Sequence, residues 1–467
     1  MWSLVRPYRT NEYHYLGLGM IALMRNVFKW LIYVTVIVAI IVFCLIGSID
    51  RTGLHEQPFY HDMMRELDTI HFHQTKNQKV KVGWGKYNIT PDYEMPMAGY
   101  KPRDRFESVH DSLYTRIIAI DNGIPVFIIS ADLLLFPPTV KEKIEIELKK
   151  ELPNAFLYFS ATHTHNGLGG WDNSIAGQFI AGTYHEEWVN QISKGIVNTV
   201  LKIKNEMAYG SISYYETDAT GYSANRLAGE NGKVDSKLRG FKLLREDSTK
   251  AILVSFSAHA TSISKKINSL SGDYPSALEA ELEKNGYHFA LFAAGMVGSH
   301  RLNGFTEENF ELTNKAGKTL ATKILKESVN SKKSDSVSIT TAHIPVQYGP
   351  SQLRIEKNWR LRDWAFRSLL RPLQGEITFL EIGDIILLGT SCDFSGEVYV
   401  DAELEKLALS KSKQLIITSF NGNYTGYITL DDHYDHYKKE EVMAMNWVGP
   451  NFGNYYEEII KRILAKD

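Results

Sequence analysis

Apolar residues come in two kinds of run along this chain. The first is a single uncharged stretch, Trp30 to Gly47 (WLIYVTVIVAIIVFCLIG), close to the length of about 20 residues that a helix needs to cross a bilayer. Residues 48–78 are polar, charged and histidine-rich, and read as a stalk with a short helix over roughly 56–68. From Val80 onward, short apolar runs alternate with amphipathic stretches. PVFIISADLLLF (125–136) reads as a buried strand, VKEKIEIELKKEL (140–152) as a helix and AFLYFSATH (155–163) as a strand. EEWVNQISKGIVNTVLKIKN (186–205) then reads as a helix. AILVSFSAH (251–259) and HFALFAAG (288–295) are further buried strands around a helix near 275–285. EITFLEIGDIILLGTS (376–391) predicts a hairpin turning at Gly383-Asp384, QLIITSFNG (414–422) a strand, and NYYEEIIKRILAK a terminal amphipathic helix. The order predicts an α/β fold whose strands are covered on both faces. With no repeat or low-complexity linker after residue 80, the rest forms one domain.

Composition changes this picture little. The 467 residues are 44% hydrophobic and 23% charged, with a formal net charge of -2, which gives no signal for nucleic-acid binding. Only Cys44 and Cys392 are present, one in the apolar run and one far downstream, so a disulfide framework is excluded. Charge matters more at the N-terminus. Arg25 and Lys29 directly precede the apolar run, with Arg6 and Arg9 upstream. By the positive-inside rule, residues 1–29 are a short cytoplasmic segment, 30–47 a transmembrane signal-anchor and the remainder extracytoplasmic, periplasmic in a bacterium. A cleaved signal peptide is the competing reading.

Candidate chemistry gathers at strand ends. His163 and His165 follow an apolar run and precede NGLGG; along a strand, positions two apart share a face. The spacing suits a structural pair as well as a metal pair. His259 also ends an apolar strand, and can be a hydrogen-bonded core histidine or a ligand. Zinc takes three or four ligands from His, Cys, Asp or Glu. Asp393 is a candidate anionic partner, and Tyr424 and Tyr427 follow a further strand. His71 and His73, and the cluster DDHYDHYKKEE, read as solvated.

Taken together and in order, these segments resemble the neutral ceramidases and their bacterial relatives. WGKYNITPDYEMPMAGY and HDSLYTRIIAIDNG are similar to that family's opening, and ATHTHNGLGG resembles its T-H-T-H-S-G-P-G-G signature with Asn166 and Leu168 substituted. SFSAHATS, LLGTSCDFSGE and NYTGYITL resemble the segments that hold its second zinc histidine, zinc glutamate and zinc tyrosine. The resemblance runs from about residue 80 to the end. It implies the family's catalytic-domain fold, mixed β-sheets flanked by helices, over 79–467 without a C-terminal immunoglobulin-like domain. It also implies one Zn2+ per chain on His163, His259, Asp393 and Tyr427, with Asp393 in place of glutamate. His165 becomes a catalytic histidine near the water and substrate; SANRL makes Arg226 substrate-orienting; and Tyr437, or Tyr434, donates to the oxyanion.

One departure is marked. Where the family carries a serine in G-[ND]-x-S-P, this chain reads GMVGSHRLNG, with Arg301 at the serine position and Ser299 two residues earlier. Arg301 favours a carboxylate or phosphate on the substrate. The expected function is a membrane-anchored zinc amidohydrolase cleaving the amide of ceramide or a related N-acyl lipid to fatty acid and amine. The partners are then a lipid-amide substrate and the bilayer, with no nucleic acid. The alternatives are a zinc amidase on an N-acyl amino-acid lipid or peptide-like amide, and a catalytically inactive lipid-binding protein. KNWRLRDWAFRSLLRPL (357–373), which mixes tryptophans with arginines, suits an anionic interface or a surface helix with its aromatics in the core.

Overall fold

Alternation of side chains along the strands decides the layering. In Tyr114–Asp121, Ile117 and Ala119 face one hydrophobic core while Ile118 and Ile120 face another. In Pro125–Ala131, Phe127 and Ile129 join the first core, Val126 and Ile128 the second. A strand that is apolar on both faces must be covered on both. In this computed structural model, which describes residues 11–100 and 103–466, helices cover one face and a second sheet covers the other.

The large sheet runs in the order Phe289–Ala294, Lys250–Phe256, Lys237–Arg245, Ala208–Asp218, Lys81–Asn88, Tyr114–Asp121, Pro125–Ala131, Phe156–Ala161. The small sheet is ordered His73–Gln74, Ile339–Pro345, Glu376–Ile382, Ile385–Gly389, Gln414–Thr418. Tyr158, Leu253 and Leu291 from the large sheet and Ile382, Leu387 and Ile416 from the small one fill the space between them. Helix Glu186–Glu206 lays Val189, Ile192, Ile196, Val200 and Ile203 on the outer face of the large sheet; helix Phe452–Ala465 covers the small sheet with Tyr455, Tyr456, Ile459, Ile460 and Ile463. The fold is therefore α/β, as the sequence pattern predicts, with mixed β-sheets flanked by helices, as the family resemblance implies.

Within the two sheets, three strand pairs are parallel: Pro125–Ala131 with Phe156–Ala161, Lys250–Phe256 with Phe289–Ala294, and Ile385–Gly389 with Gln414–Thr418. The large sheet curls until its two edge strands approach each other. Ser130 Oγ donates to Phe292 O at 2.6 Å, and Arg116 reaches Ala290 O at 2.9 Å. The end of Gln414–Thr418 joins them, with Ser419 N donating to Ala294 O at 2.9 Å and Ser160 Oγ to Ser419 O at 3.2 Å. The carboxyl ends of all three parallel pairs thus meet in one place.

Several boundaries differ from the sequence reading. The N-terminal helix is Asn11–Leu45, and its apolar stretch long enough to cross a membrane is Leu23–Leu45, rather than 30–47. Ile46–Ser48 leaves the helix as a strand, because Gly47 and Ser48 are poor helix formers and a partner strand, Trp359–Leu361, is waiting for them. Arg6 and Arg9 lie outside the described residues. Residues 48–78 carry helix Pro58–Thr69, whose Met63 and Leu67 are fully buried against the small-sheet core, so this polar segment is built into the body. Residues 357–373 hold the strand Trp359–Leu361 and the short helix Asp363–Leu369. The paired strands Ala208–Asp218 and Lys237–Arg245 and the helix Asn309–Glu327 were not anticipated.

One buried ion pair crosses from a helix on the large sheet to the small sheet. Lys141 Nζ lies 2.8 Å from Glu376 Oε1, and the two side chains are 8% and 18% exposed. Burial opposes ionisation of Glu376, but the hydrogen bond from His343 and the charge of Lys141 outweigh it and bring its pKa down from 4.5 to about 2. A depressed carboxylate pKa stabilises the fold fully above the unfolded value, and that contribution is lost as pH falls through the folded value. Glu376→Gln should cost about 3 kcal/mol at pH 7, because it leaves a buried ammonium without its partner. In urea unfolding of both proteins, the gap between them should shrink as pH falls from 4.5 towards 2; a gap independent of pH would remove the pair from the stability account.

Candidate metal centre

The strand Phe156–Ala161 ends two residues before His163, which adopts a left-handed backbone, φ 62°. Outside glycine, such a conformation costs roughly 1–3 kcal/mol and persists only where its surroundings fix it. His163 and His165 are thus brought together by a turn and not by strand pleating, and their rings stand perpendicular with centroids 4.8 Å apart. Phe420, itself left-handed at φ 67°, stacks on His163 at 4.2 Å. Gly99 is pressed on the next turn: a Cβ there would lie 2.3 Å from His165 Cα, and its φ of 120° suits only glycine.

His259 follows the strand Lys250–Phe256 and is fully buried. Its ring lies 4.7 Å from that of His163, and one ligand atom from each of His163, His165 and His259 falls within 4.8 Å of the others. Asp393, at the end of the small sheet, completes the cluster. Its Oδ1 is 3.4 Å from Nε2 of both His163 and His259. Tyr427 OH is 3.0 Å from His259 Nε2, and Tyr424 OH donates to Asp393 Oδ2 at 2.7 Å. The short parallel pairing of Asp393 with Tyr427 holds these two side by side.

Proton positions follow from the outer partners. His163 Nδ1 donates to Leu134 O at 2.6 Å, and His259 Nδ1 to Val297 O at 2.8 Å, so both Nε2 atoms present lone pairs inward. Burial lowers the pKa of His163 to about 3, against the bond to Leu134 and with the help of Arg226. Burial likewise holds His165 and His259 well below the ordinary histidine value, reinforced by neighbouring His163 and Arg226. Burial pushes Asp393 up to about 7, opposed by its bond to Tyr424. Asp393 Oδ1 has no hydrogen-bond partner although it is buried. Two imidazole lone pairs and the Asp393 carboxylate therefore face one point, with the Tyr427 hydroxyl and His165 Nε2 as the donors beside them. Acceptors are arranged this way around a cation, and the nitrogen and oxygen donor set fits a divalent metal.

Other polar groups stand around this cluster. Arg226 follows the short strand Ser223–Asn225, its backbone N–H bonded to Ser299 O at 2.8 Å, and its Nε pairs with Glu441 Oε1 at 2.7 Å. His165 is half-buried; its Nδ1 has no partner, the Tyr100 ring lies 4.9 Å away, and Arg103 donates to its carbonyl at 2.6 Å.

The sequence of residues 80–301 matches the model of the family described as neutral/alkaline non-lysosomal ceramidase, N-terminal. These residues belong to the neutral ceramidase family. A curated neutral ceramidase of Pseudomonas aeruginosa is 22% identical over 213 residues, 41% of this chain; the match spans about a third (32%) of that relative's length. The crystal structure of neutral ceramidase from Pseudomonas aeruginosa superposes with a TM-score of 0.70 at 18% identity, covering 83% of this chain and 74% of that one. A ceramidase complexed with C2 gives a TM-score of 0.66 at 16% identity, over 82% and 74% of the two chains.

Of the residues that the ceramidase resemblance singles out, His163, His165, His259, Asp393 and Tyr427 come together, with Arg226 close enough to act on their charges. Arg301 pairs through its backbone with Ala224 and bridges to His259, while its guanidinium is exposed and meets Leu302 O at 3.4 Å. Tyr437 is not brought to the cluster: the chain turns at His433–His436, and its ring packs on His433 and His436. Tyr434 is buried beneath Arg354 and Arg51. Ser299 is fully buried between His300 and Ser395, away from any surface. Glu441, Tyr100 and Arg103 were missed by sequence reasoning, since nothing in their local spacing distinguishes them from surface residues.

A cation that binds only the folded protein stabilises it by mass action, about 2.7 kcal/mol at a hundredfold excess over Kd. Adding a divalent zinc salt to chelator-stripped protein should raise Tm for the native chain and not for His163→Ala or Asp393→Ala. Equal shifts in all three would place the binding elsewhere.

Proposed function

We propose that this chain is a membrane-anchored, zinc-dependent hydrolase of lipid amides, cleaving ceramide or a related N-acyl lipid to a fatty acid and an amine. The observation that supports it best is the buried convergence of His163 Nε2, His259 Nε2 and Asp393 Oδ1, next to the Tyr427 hydroxyl. Those four residues are the proposed zinc ligands. Zinc held there supplies a Lewis acid that polarises a carbonyl and acidifies water near neutral pH.

The remaining steps belong to the chain's own groups. Asp393 in place of a glutamate is one methylene shorter, and its pairing with Tyr427 holds the two residues side by side. The neutral His165 ring, whose Nε2 lies 3.3 Å from His163 Nε2, takes the proton of the attacking water and returns it to the departing amine nitrogen. Water oxygen bonds to the carbonyl carbon as the carbon–nitrogen bond breaks. Arg226, always charged and braced by Glu441, donates to the carbonyl oxygen as negative charge grows on it. Tyr424 is oriented towards Asp393 and fixes the carboxylate. Tyr437 lacks a contact with this cluster, so no step is assigned to it. The helix Leu23–Leu45, 0% buried and of mean hydropathy 2.5, is read as the anchor, with the body on the extracytoplasmic side.

Arg301 favours a second reading of the substrate. An exposed guanidinium on the strand that touches His259 suits an N-acyl lipid with an anionic head group. Hydrolysis should be abolished by a chelator and by His259→Ala. Arg226→Met should lower kcat roughly 100-fold or more, as for loss of a transition-state donor, with a smaller change in KM. Fatty-acid release from ceramide and from an anionic N-acyl amino-acid lipid, measured with and without Arg301→Ala, separates the two substrates. Chelator-insensitive cleavage of both would overturn the zinc reading.

A further inference from the structure

The span of the N-terminal helix and the folded body are not joined by a free linker. Ile46, Gly47 and Ser48 pair antiparallel with Leu361, Arg360 and Trp359. The last carbonyls of the helix, which have no partner within it, are bonded by the body. Trp364 Nε1 donates to Cys44 O at 3.2 Å, Arg362 N to Leu45 O at 2.8 Å and Arg362 Nε to Ile46 O at 3.0 Å. The Arg362 guanidinium also lies over the Phe43 ring, at the negative end of the helix dipole, where the helix itself supplies no basic residue. The segment Trp359–Leu369 therefore sits at the level where the apolar helix ends, in the interface if that helix spans a bilayer.

Its composition suits that depth. Trp359, Trp364 and Leu369 are 52%, 55% and 42% exposed, although tryptophan is among the residues most enriched at a membrane interface. The arginines around them are largely free of carboxylates. Arg360 donates to Ser48 O and Ser351 O, Arg362 to Ile46 O, and Arg371 to Asn173 Oδ1; only Arg367 pairs with an acid, Asp363. Arg371 also ties this patch to the segment that follows His165. Just past Asn173, the helix Ile175–Ala181 exposes Ile175 and Phe179, the latter 76%.

We propose that Trp359, Trp364, Leu369 and Phe179, with Arg362, Arg367 and Arg371, form a face that docks on the anionic headgroups of the membrane crossed by Leu23–Leu45. The body is thereby held in one orientation, with the His165 side of the site towards the lipid. This rests on reading that helix as a span. The occupant is a bilayer because the face is continuous with the end of the span, and because the guanidinium groups of Arg362 and Arg371, which meet only uncharged oxygens, match phosphate-bearing headgroups.

The test uses the full chain in a Cys44→Ser background, reconstituted in vesicles of phosphatidylcholine with or without phosphatidylglycerol. Nitroxide labels at Leu369→Cys, Phe179→Cys and, on a distant exposed strand position, Tyr209→Cys are read by collision with oxygen and with a water-soluble nickel chelate. Labels at 369 and 179 should be shielded from the chelate in phosphatidylglycerol vesicles while the label at 209 stays fully accessible. Arg367→Glu with Arg371→Glu should return both labels towards the aqueous value, the docked population falling roughly fivefold per arginine. Chelate access at 369 and 179 equal to that at 209 overturns the proposal, as does spin–spin broadening at 369, which would make the face a contact between two copies. Hydrolysis of detergent-dispersed ceramide by the same proteins reports on the site independently of docking, so failure of one reading does not mimic failure of the other.

Discussion

The structure depends on one unfavourable arrangement: a buried carboxylate oxygen of Asp393 aimed at the lone pairs of two imidazoles. Left alone, these acceptors repel, and burial pushes Asp393 up to about 7 to relieve it by taking a proton. The fold nevertheless spends backbone strain to maintain them. His163 and Phe420 both sit in the left-handed region and stack on each other. Strain of this kind persists only where its neighbours over-determine it. The neighbours are the strand ends themselves, stitched together by Ser160, Ser419 and Ala294.

That stitching explains why two stacked sheets are needed. A single sheet delivers its parallel strand ends along a line. Here the large sheet curls so that Phe156–Ala161 and Phe289–Ala294 approach each other, and the small sheet brings Ile385–Gly389 and Gln414–Thr418 beneath the gap. His163 and His259 come from the first, Asp393 and Tyr427 from the second. The site is a product of sheet-on-sheet packing, so the core between the sheets, with Tyr158 bonded to Thr418 at 2.6 Å, supports it as much as any ligand does.

Much of this was legible in the sequence because the signals are local. Alternating or continuous apolar runs located the buried strands, and the hairpin at Gly383-Asp384 and the helix 186–205 fall within a residue or two of their observed bounds. His163, His259 and Asp393 each lie close behind an apolar run, but their meeting with Tyr427 was expected only from the resemblance to the neutral ceramidases. What was not legible depends on the third dimension. Pleating predicted the right neighbours, His163 and His165, for the wrong reason, since a left-handed turn aligns them. Tyr437 belongs to a loop whose path is set by Arg354, buried and donating to the carbonyls of Tyr434 and Val442. The polar composition of residues 48–78 suggested a stalk, yet helix Pro58–Thr69 docks through buried Met63 and Leu67 with Phe59, Tyr60 and Met64 packed around them, apolar positions outnumbered in the sequence by charged and polar neighbours.

The same loop connects the two ends of the molecule physically. Arg51, just past the strand that leaves the apolar helix, pairs with Asp435, and Arg354 grips Asp435 from the other side. Along that loop, Glu441 braces Arg226, while Lys439 donates to the carbonyls of Arg226 and Leu227 and Tyr427 N donates to Met445 O. A continuous set of hydrogen bonds and ion pairs thus runs from the end of the helix to the arginine beside the candidate metal centre. Such contiguity is no proof of energetic coupling, but it has a direct mechanical meaning. The elements that fix the body on the end of the apolar helix are the elements that fix the position of Arg226. On the proposed reading, with that helix as anchor and Arg226 as the donor to the carbonyl oxygen, a rigid frame shared between them aligns the site with the membrane plane without a moving part.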